Sequence, residues 1–239
     1  MAKKNSGKTT RTAPRPSLRR RLFRWSLRAV SIVFLVMSAL TVLYAAVNPP
    51  TTIYMLQESR RLGGLERQWV TLDNVAPVMA RVVVAAEDAN FCNHWGFDLV
   101  AIRTAIEEGS GRGASTISQQ VVKNVYLWQG RNWTRKAIEA VMTPMIEAIW
   151  SKRRIIEVYL NVVEFDDGIF GIHAAARHYF GVTPDALSDV QAARLAAILP
   201  LPKERSASNP SQSVRRRAAA VLDGAATIDA DGRASCFQS

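Results

Sequence analysis

The chain has 239 residues, 31 Lys and Arg against 20 Asp and Glu for a formal charge of +11, and 48% hydrophobic residues. That length accommodates one ordinary domain with extensions, and that hydrophobic content excludes disorder over most of the chain. Two cysteines, Cys92 and Cys236, are too few for a disulfide-built scaffold but allow one bridge, and three histidines in no common zinc-ligand spacing argue against a zinc enzyme.

Residues 1–28 carry ten cations, from Lys3 to Arg28, and no acid, so the other 211 residues share a net +1. Ala29 to Val47 follows without a charge. As a helix those nineteen residues span about 28 Å, close to the ~30 Å hydrocarbon core of a bilayer. Cations before the run and none just after it predict an N-in single-pass anchor, with Trp25 and Tyr44 near the two interfaces. A cleaved signal peptide is the rival; its apolar region would normally be shorter and end in a small-x-small site. A basic arm that binds nucleic acid is a third reading, which the apolar run disfavours. On this account 1–28 is a cytoplasmic tail, 29–47 a transmembrane helix, and everything after residue 48 lies outside the cytoplasm.

The body, 48–205, has helical periodicity and few β-branched alternations, so the fold class is mainly α. Val75 to Glu87 and Phe97 to Glu108 read as helices, the second capped by Asp98. Arg135 to Leu160 reads as one long helix that Pro144 should kink or break. Ser188 and Gln191 form a capping box for a helix to Leu199. From Ser206 to Ser239 the composition turns polar; a short helix over Val214–Leu222 and a loose final fifteen residues are expected.

Four clusters carry chemistry-bearing residues. In Glu87-Asp88-Ala89-Asn90-Phe91-Cys92-Asn93-His94-Trp95-Gly96-Phe97-Asp98, an acid pair follows an apolar run. Glu87 there is either a partly desolvated carboxyl with a raised pKa or a solvated helix end. Gly111 to Asn124 joins a glycine-bearing loop to a helix start at Thr116-x-x-Gln119, suited to an anion or simply a capped helix. Arg135 and Lys136 pair by spacing with Glu139, which on a surface would be worth under ~0.5 kcal/mol. Glu164 to Gly181, with its small residues, Tyr179 and Phe180, reads as mainly structural.

In this order and spacing, the clusters resemble glycosyltransferase family 51, the peptidoglycan glycosyltransferases. Glu-Asp-x-x-Phe-x-x-His-x-Gly-x-Asp is met from Glu87 to Asp98, and Gly-x-Ser-Thr-Ile-x-Gln-Gln-x-x-Lys-Asn from Gly113 to Asn124. Arg-Lys-x-x-Glu-Ala is met at 135–140, and Ser-Lys-x-x-Ile with Glu-x-Tyr-Leu-Asn at 151–161. The resemblance covers roughly 55–205. It implies a lysozyme-like, mostly helical glycosyltransferase domain with a membrane-proximal apolar lobe, acting on lipid II and a lipid-linked nascent glycan at the bacterial inner membrane, with the catalytic domain periplasmic. Glu87 would be the base, and Glu139 would assist departure of the pyrophosphate or hold its cations. Lys123, Arg135 and Lys136 would clamp that pyrophosphate. Asp88, Phe91, His94, Ser115, Thr116, Gln119, Gln120 and Asn124 would complete the substrate site. No cofactor or metal cage is required, although Mg or Mn could bridge the pyrophosphate with Asp88. Cell-wall synthesis or division proteins are expected partners, and nucleic acid is not. Ser-x-x-Lys, the nucleophile motif of the transpeptidase domain that bifunctional relatives add, is absent. A glycan hydrolase or lytic transglycosylase, and a non-catalytic membrane scaffold, stand as alternatives.

Overall fold

A computed structural model describes residues 18–107, 109, 115–130 and 132–238. The basic residues before Leu18, Glu108, and the glycine-bearing loop from Gly111 to Ala114 lie outside the described residues. The described residues up to Leu40 form one unit and those from Thr41 onward another. Helix α1 is Leu18–Tyr44; among the described residues it is the one helix long and apolar enough to cross a membrane.

In the second unit the final carbonyls of α1 are capped. Trp150 Nε1 donates to Thr41 O at 2.7 Å, and Arg154 donates to Tyr44 O at 3.0 and 3.1 Å. A cation there also complements the helix dipole. The helices that follow are α2 Ile53–Leu62, α3 Pro77–Glu87, α4 Leu99–Glu107, α5 Ile117–Tyr126, α6 Trp133–Ile149 and α7 Lys152–Val162. After them come α8 Gly171–Phe180, α9 Asp189–Ile198, α10 Gln212–Ala230 and α11 Ser235–Gln238. A small sheet of β1 Glu66–Arg67, β2 Glu164–Asp166 and β3 Ile169–Phe170 has the order β1-β3-β2, with β1 parallel and β2 antiparallel to β3. Its hinge is Gly171, at φ 80°, where a Cβ would lie 2.9 Å from Asn161 O. Only glycine fits both the angle and the space.

Local chemistry starts most of these helices. Thr52, Asn132, Ser151 and Ser211 each accept a backbone N–H of the first turn, and Thr116/Gln119 and Ser188/Gln191 form complete capping boxes. The core is built on α3, whose Val78, Met79, Val82, Val83 and Val84 are buried against α9 and α10, while α5 packs on α6 and α7.

Four expectations change. The Val75–Glu87 helix begins at Pro77, where a missing N–H costs nothing, behind a 3-10 turn at Leu72–Asn74. The second helix begins at Leu99, with Asp98 Oδ1 accepting the Ala101 N–H at 2.9 Å as its cap. Pro144 does not break α6; the break comes at Trp150, whose extended backbone leads into the Ser151 cap. Inside α6 the Thr143 hydroxyl donates to Glu139 O at 2.7 Å beside the proline. The C-terminal region is not loose. Helix α10 buries Val214, Ala218, Val221, Ala225 and Ile228, a helical stripe, and Cys236 is bridged to Cys92 beside a fully buried Phe237.

Candidate active site

Helix α3 ends on Glu87, whose side chain is 14% exposed. Its Oε2 accepts the Gln120 amide at 2.9 Å. Burial pushes the Glu87 carboxyl above its ordinary value, and the Gln120 hydrogen bond, Arg217 and Lys123 pull it part of the way back. The solvated-helix-end reading therefore fails: this is a desolvated carboxyl. It lines a cleft of about 440 Å³ together with Asp88, Asn90, Asp98, Ser115 and Thr116.

Asp88 faces inward. Its Oδ2 accepts the Ile117 N–H at 3.0 Å, at the start of α5, and its Oδ1 meets His94 Nε2 at 2.8 Å. His94 Nδ1 accepts the Gly96 N–H at 3.1 Å, so the ring proton belongs on Nε2, which donates to Asp88. The pair braces the loop after α3 against the N-terminus of α5. Gly96, at φ 81°, sits where a Cβ would meet Thr143 Cγ2 at 2.5 Å, which lets that loop lie on α6.

Helix α5 presents Gln120 and, one turn on, Lys123 on one face. Helix α6 presents Arg135, Lys136 and Glu139. Arg135 Nη1 donates to Glu139 Oε2 at 2.9 Å, its Nε donates to Gly130 O at 2.9 Å, and Lys136 Nζ pairs with Glu139 Oε1. Lys136 also reaches Ser115 Oγ at 3.4 Å. Glu139 is 3% exposed and Arg135 12%, so that pair is no surface ion pair, whereas Lys136 is 42% exposed. Burial pushes Lys123 below its ordinary value; Glu139 and Glu87 oppose the shift, while Arg135 and Lys136 add to it. Lys123 is thus within electrostatic reach of both glutamates and of the Arg135 and Lys136 charges.

Other expected residues also make contacts within the fold. Phe91, expected at the substrate site, is fully enclosed, with Lys152 Nζ 4.3 Å from its ring centre and Phe237 beside it. Thr116 and Gln119 are occupied by the capping box, with Thr116 Oγ1 also donating to Gly96 O at 2.7 Å. Asn124 is buried and accepts from Gln129 at 3.5 Å. Ser115, Gln120 and Lys123 remain partly accessible.

A sequence profile of the family described as Transglycosylase matches residues 55–226. The chain belongs to the transglycosylase family. It is 58% identical over 214 residues to a protein of Jannaschia sp. (strain CCS1) named biosynthetic peptidoglycan transglycosylase, covering 90% of each chain. Proteins of the same name in Caulobacter vibrioides and Pseudomonas fluorescens are 42% identical over 222 residues and 46% over 223. Those alignments cover 91% and 89% of this chain, and 97% and 93% of the relatives. The transglycosylase match runs past residue 205 into α10.

Two groups at the site were not foreseen. Tyr159 of α7, fully buried, donates to Gln120 Oε1 at 3.4 Å and so orients the amide that binds Glu87. Arg217 of α10 places Nη2 3.8 Å from Glu87 Oε1. Tyr159 stood within a recognised motif, but Arg217 stood in a basic run whose spacing says nothing of what it faces. The Glu147–Lys152 pair is turned inward: Glu147 accepts Lys152 Nζ at 2.9 Å and the Ser118 hydroxyl, and Lys152 donates to His94 O at 2.8 Å.

Among the described residues one acid cluster, Glu58, Glu164 and Asp167, has metal-like spacing. Lys203 Nζ already lies among its carboxylates, at 2.7, 3.2 and 2.9 Å. A lysine supplies the positive charge there.

Proposed function

We propose that this transglycosylase-family chain is a peptidoglycan glycosyltransferase that polymerises lipid II into glycan strands. The observation that carries the reading is a desolvated Glu87 at a cleft, with Lys123 acting on both it and a buried second glutamate, Glu139, to which Arg135 and Lys136 are paired. In the reaction, the 4-hydroxyl oxygen of the lipid II GlcNAc attacks the anomeric carbon of the lipid-linked donor. Its proton passes to Glu87. The bond from that carbon to the pyrophosphate breaks, its electron pair leaves on the pyrophosphate oxygen, and attack from the opposite side inverts the α-linkage to β-1,4. The departing group is already anionic, so cations matter more than an acid. Arg135 and Lys136, each tied to Glu139, support the role of Glu139 as holder of those cations.

A divalent ion bridged by Asp88 fits this site poorly, because both Asp88 oxygens are engaged by His94 and the Ile117 N–H. No step here is routed through a metal. We read α1 as the inner-membrane anchor, N-terminus cytoplasmic. Exposed Trp95, Leu99 and Val100 line a neighbouring apolar cleft of about 580 Å³, which supports a substrate delivered from a bilayer.

The test is full-length protein in detergent with labelled lipid II. Polymer should accumulate with wild type and vanish with Glu87→Gln, while lipid II binding persists. Cleavage of finished glycan without polymer would establish the hydrolase reading, and an active Glu87→Gln the loss of its catalytic role.

A further inference from the structure

The C-terminal helix reaches the carboxylate at the centre of the cleft. Arg217 Nη2 lies 3.8 Å from Glu87 Oε1, and it donates to Ala86 O at 3.4 Å. The other carboxylate oxygen, Oε2, is taken by Gln120. The two oxygens of one largely desolvated acid are therefore addressed from two helices, α10 and α5. Arg217 Nε is buried and has no hydrogen-bond partner, while the side chain as a whole stays 38% exposed. Its guanidinium thus stands between solvent and Glu87.

Glu87 is awkwardly placed for an anion. It ends α3, where the helix dipole disfavours negative charge, and it is largely desolvated. Asp88 beside it adds repulsion; Tyr159 from α7 and Gln120 from α5 are uncharged; Lys123 from α5 and Arg217 from α10 are the cations that face it. Arg217 answers both difficulties, since it meets a carbonyl of the last α3 turn and the carboxylate at once. Its backbone is held closely: at Gly224 a Cβ would lie 3.4 Å from Ala85 Cβ, in ordinary contact, and Val214, Ala218 and Val221 of α10 are buried.

We propose that Arg217 is a positioning residue for Glu87, holding Oε1 by charge while Gln120 holds Oε2, so that α10 is part of the catalytic apparatus. The inference rests on Glu87 acting as the base. Loss of the cation should raise the pH at which the carboxylate forms, so activity should fall most on the acid side.

The experiment uses full-length Arg217→Met and Arg217→Lys, with turnover on lipid II measured from about pH 5 to 9 and the thermal midpoint recorded for each. Glu87 itself is titrated by carbon-13 NMR of glutamate-labelled protein, its signal assigned by difference from Glu87→Gln. Arg217→Met should move the acid limb and the Glu87 titration upward together, and turnover on that limb should fall on the order of tenfold for each pH unit the limb moves. Near the alkaline plateau the loss should be small, and Arg217→Lys should recover most of the displacement. A loss equal at every pH that follows the midpoint, or an unmoved Glu87 titration, would overturn the inference. If Glu87→Gln keeps full turnover, the base assignment fails instead, and the Glu87 titration in Arg217→Met still decides whether Arg217 governs the carboxylate.

Discussion

Breaking the Cys92–Cys236 bridge should be the most costly small change outside the cleft. The two cysteines are 144 positions apart, so the bridge closes a loop spanning most of the second unit. Chain-entropy arithmetic for a loop of that size gives about 5 kcal/mol at 25 °C, the upper end of what native bridges contribute. Midpoints of domains this large move by roughly 2–4 °C per kcal/mol, so the thermal midpoint should drop by about 10–20 °C. The bridge also holds α11 in place, where Phe237 lies 6.3 Å from the Phe91 ring and accepts from Arg153 at 3.1 Å through its carbonyl. Circular dichroism melts of the full-length protein, with and without reductant, measure the change. The paired variant Cys92→Ala/Cys236→Ala, melted without reductant, should match reduced wild type. A midpoint moved by less than ~2 °C in both comparisons would refute the reasoning, because a link across so long a loop cannot be silent if the unfolded chain is free.

Glu87 should cost the fold stability while it serves the reaction. Its folded pKa is raised, so the fold favours its protonated form: the penalty is present at neutral pH, shrinks as pH falls through the raised value and is gone below the ordinary carboxyl range. Glu87→Gln should therefore melt higher than wild type at pH 7, with the difference closing on acidification; a lower midpoint at pH 7 would contradict this. Arg135→Lys cannot reproduce donation to both Gly130 O and Glu139, and should cut turnover by on the order of 10²-fold, as losing one preorganised donor does. Full turnover would remove Arg135 from the site. Lys123→Ala should likewise lower turnover with the thermal midpoint held or raised, since burial already opposes its charge; a fall confined to stability would mark it as structural. For topology, a C-terminal periplasmic reporter should be active on a protein of full mass, and a mature form starting near Asn48 would overturn the anchor.

Much of this protein is legible in one dimension. The uncharged run of residues 29–47, the helix-starting Thr116 and Ser188, and the order of the clusters are local facts. Helix caps and apolar periodicity act over three or four residues, so the sequence alone determines them. It also pointed to Glu87 and Glu139, and to the pairing of Arg135 and Lys136 with the latter. What each motif residue faces is a different matter, because a side chain's partner across the fold lies dozens of positions away. Only tertiary packing turned Phe91 into core beneath Lys152, and made Asp88 and His94 a brace on the start of α5. Polar composition after Ser206 showed only the Val214–Leu222 part of a helix that runs on to Ala230, where Gly224 lets α10 lie close on Ala85 of α3. That close approach brings Arg217 to Glu87, a contact no spacing rule encodes because its partners come from opposite ends of the domain.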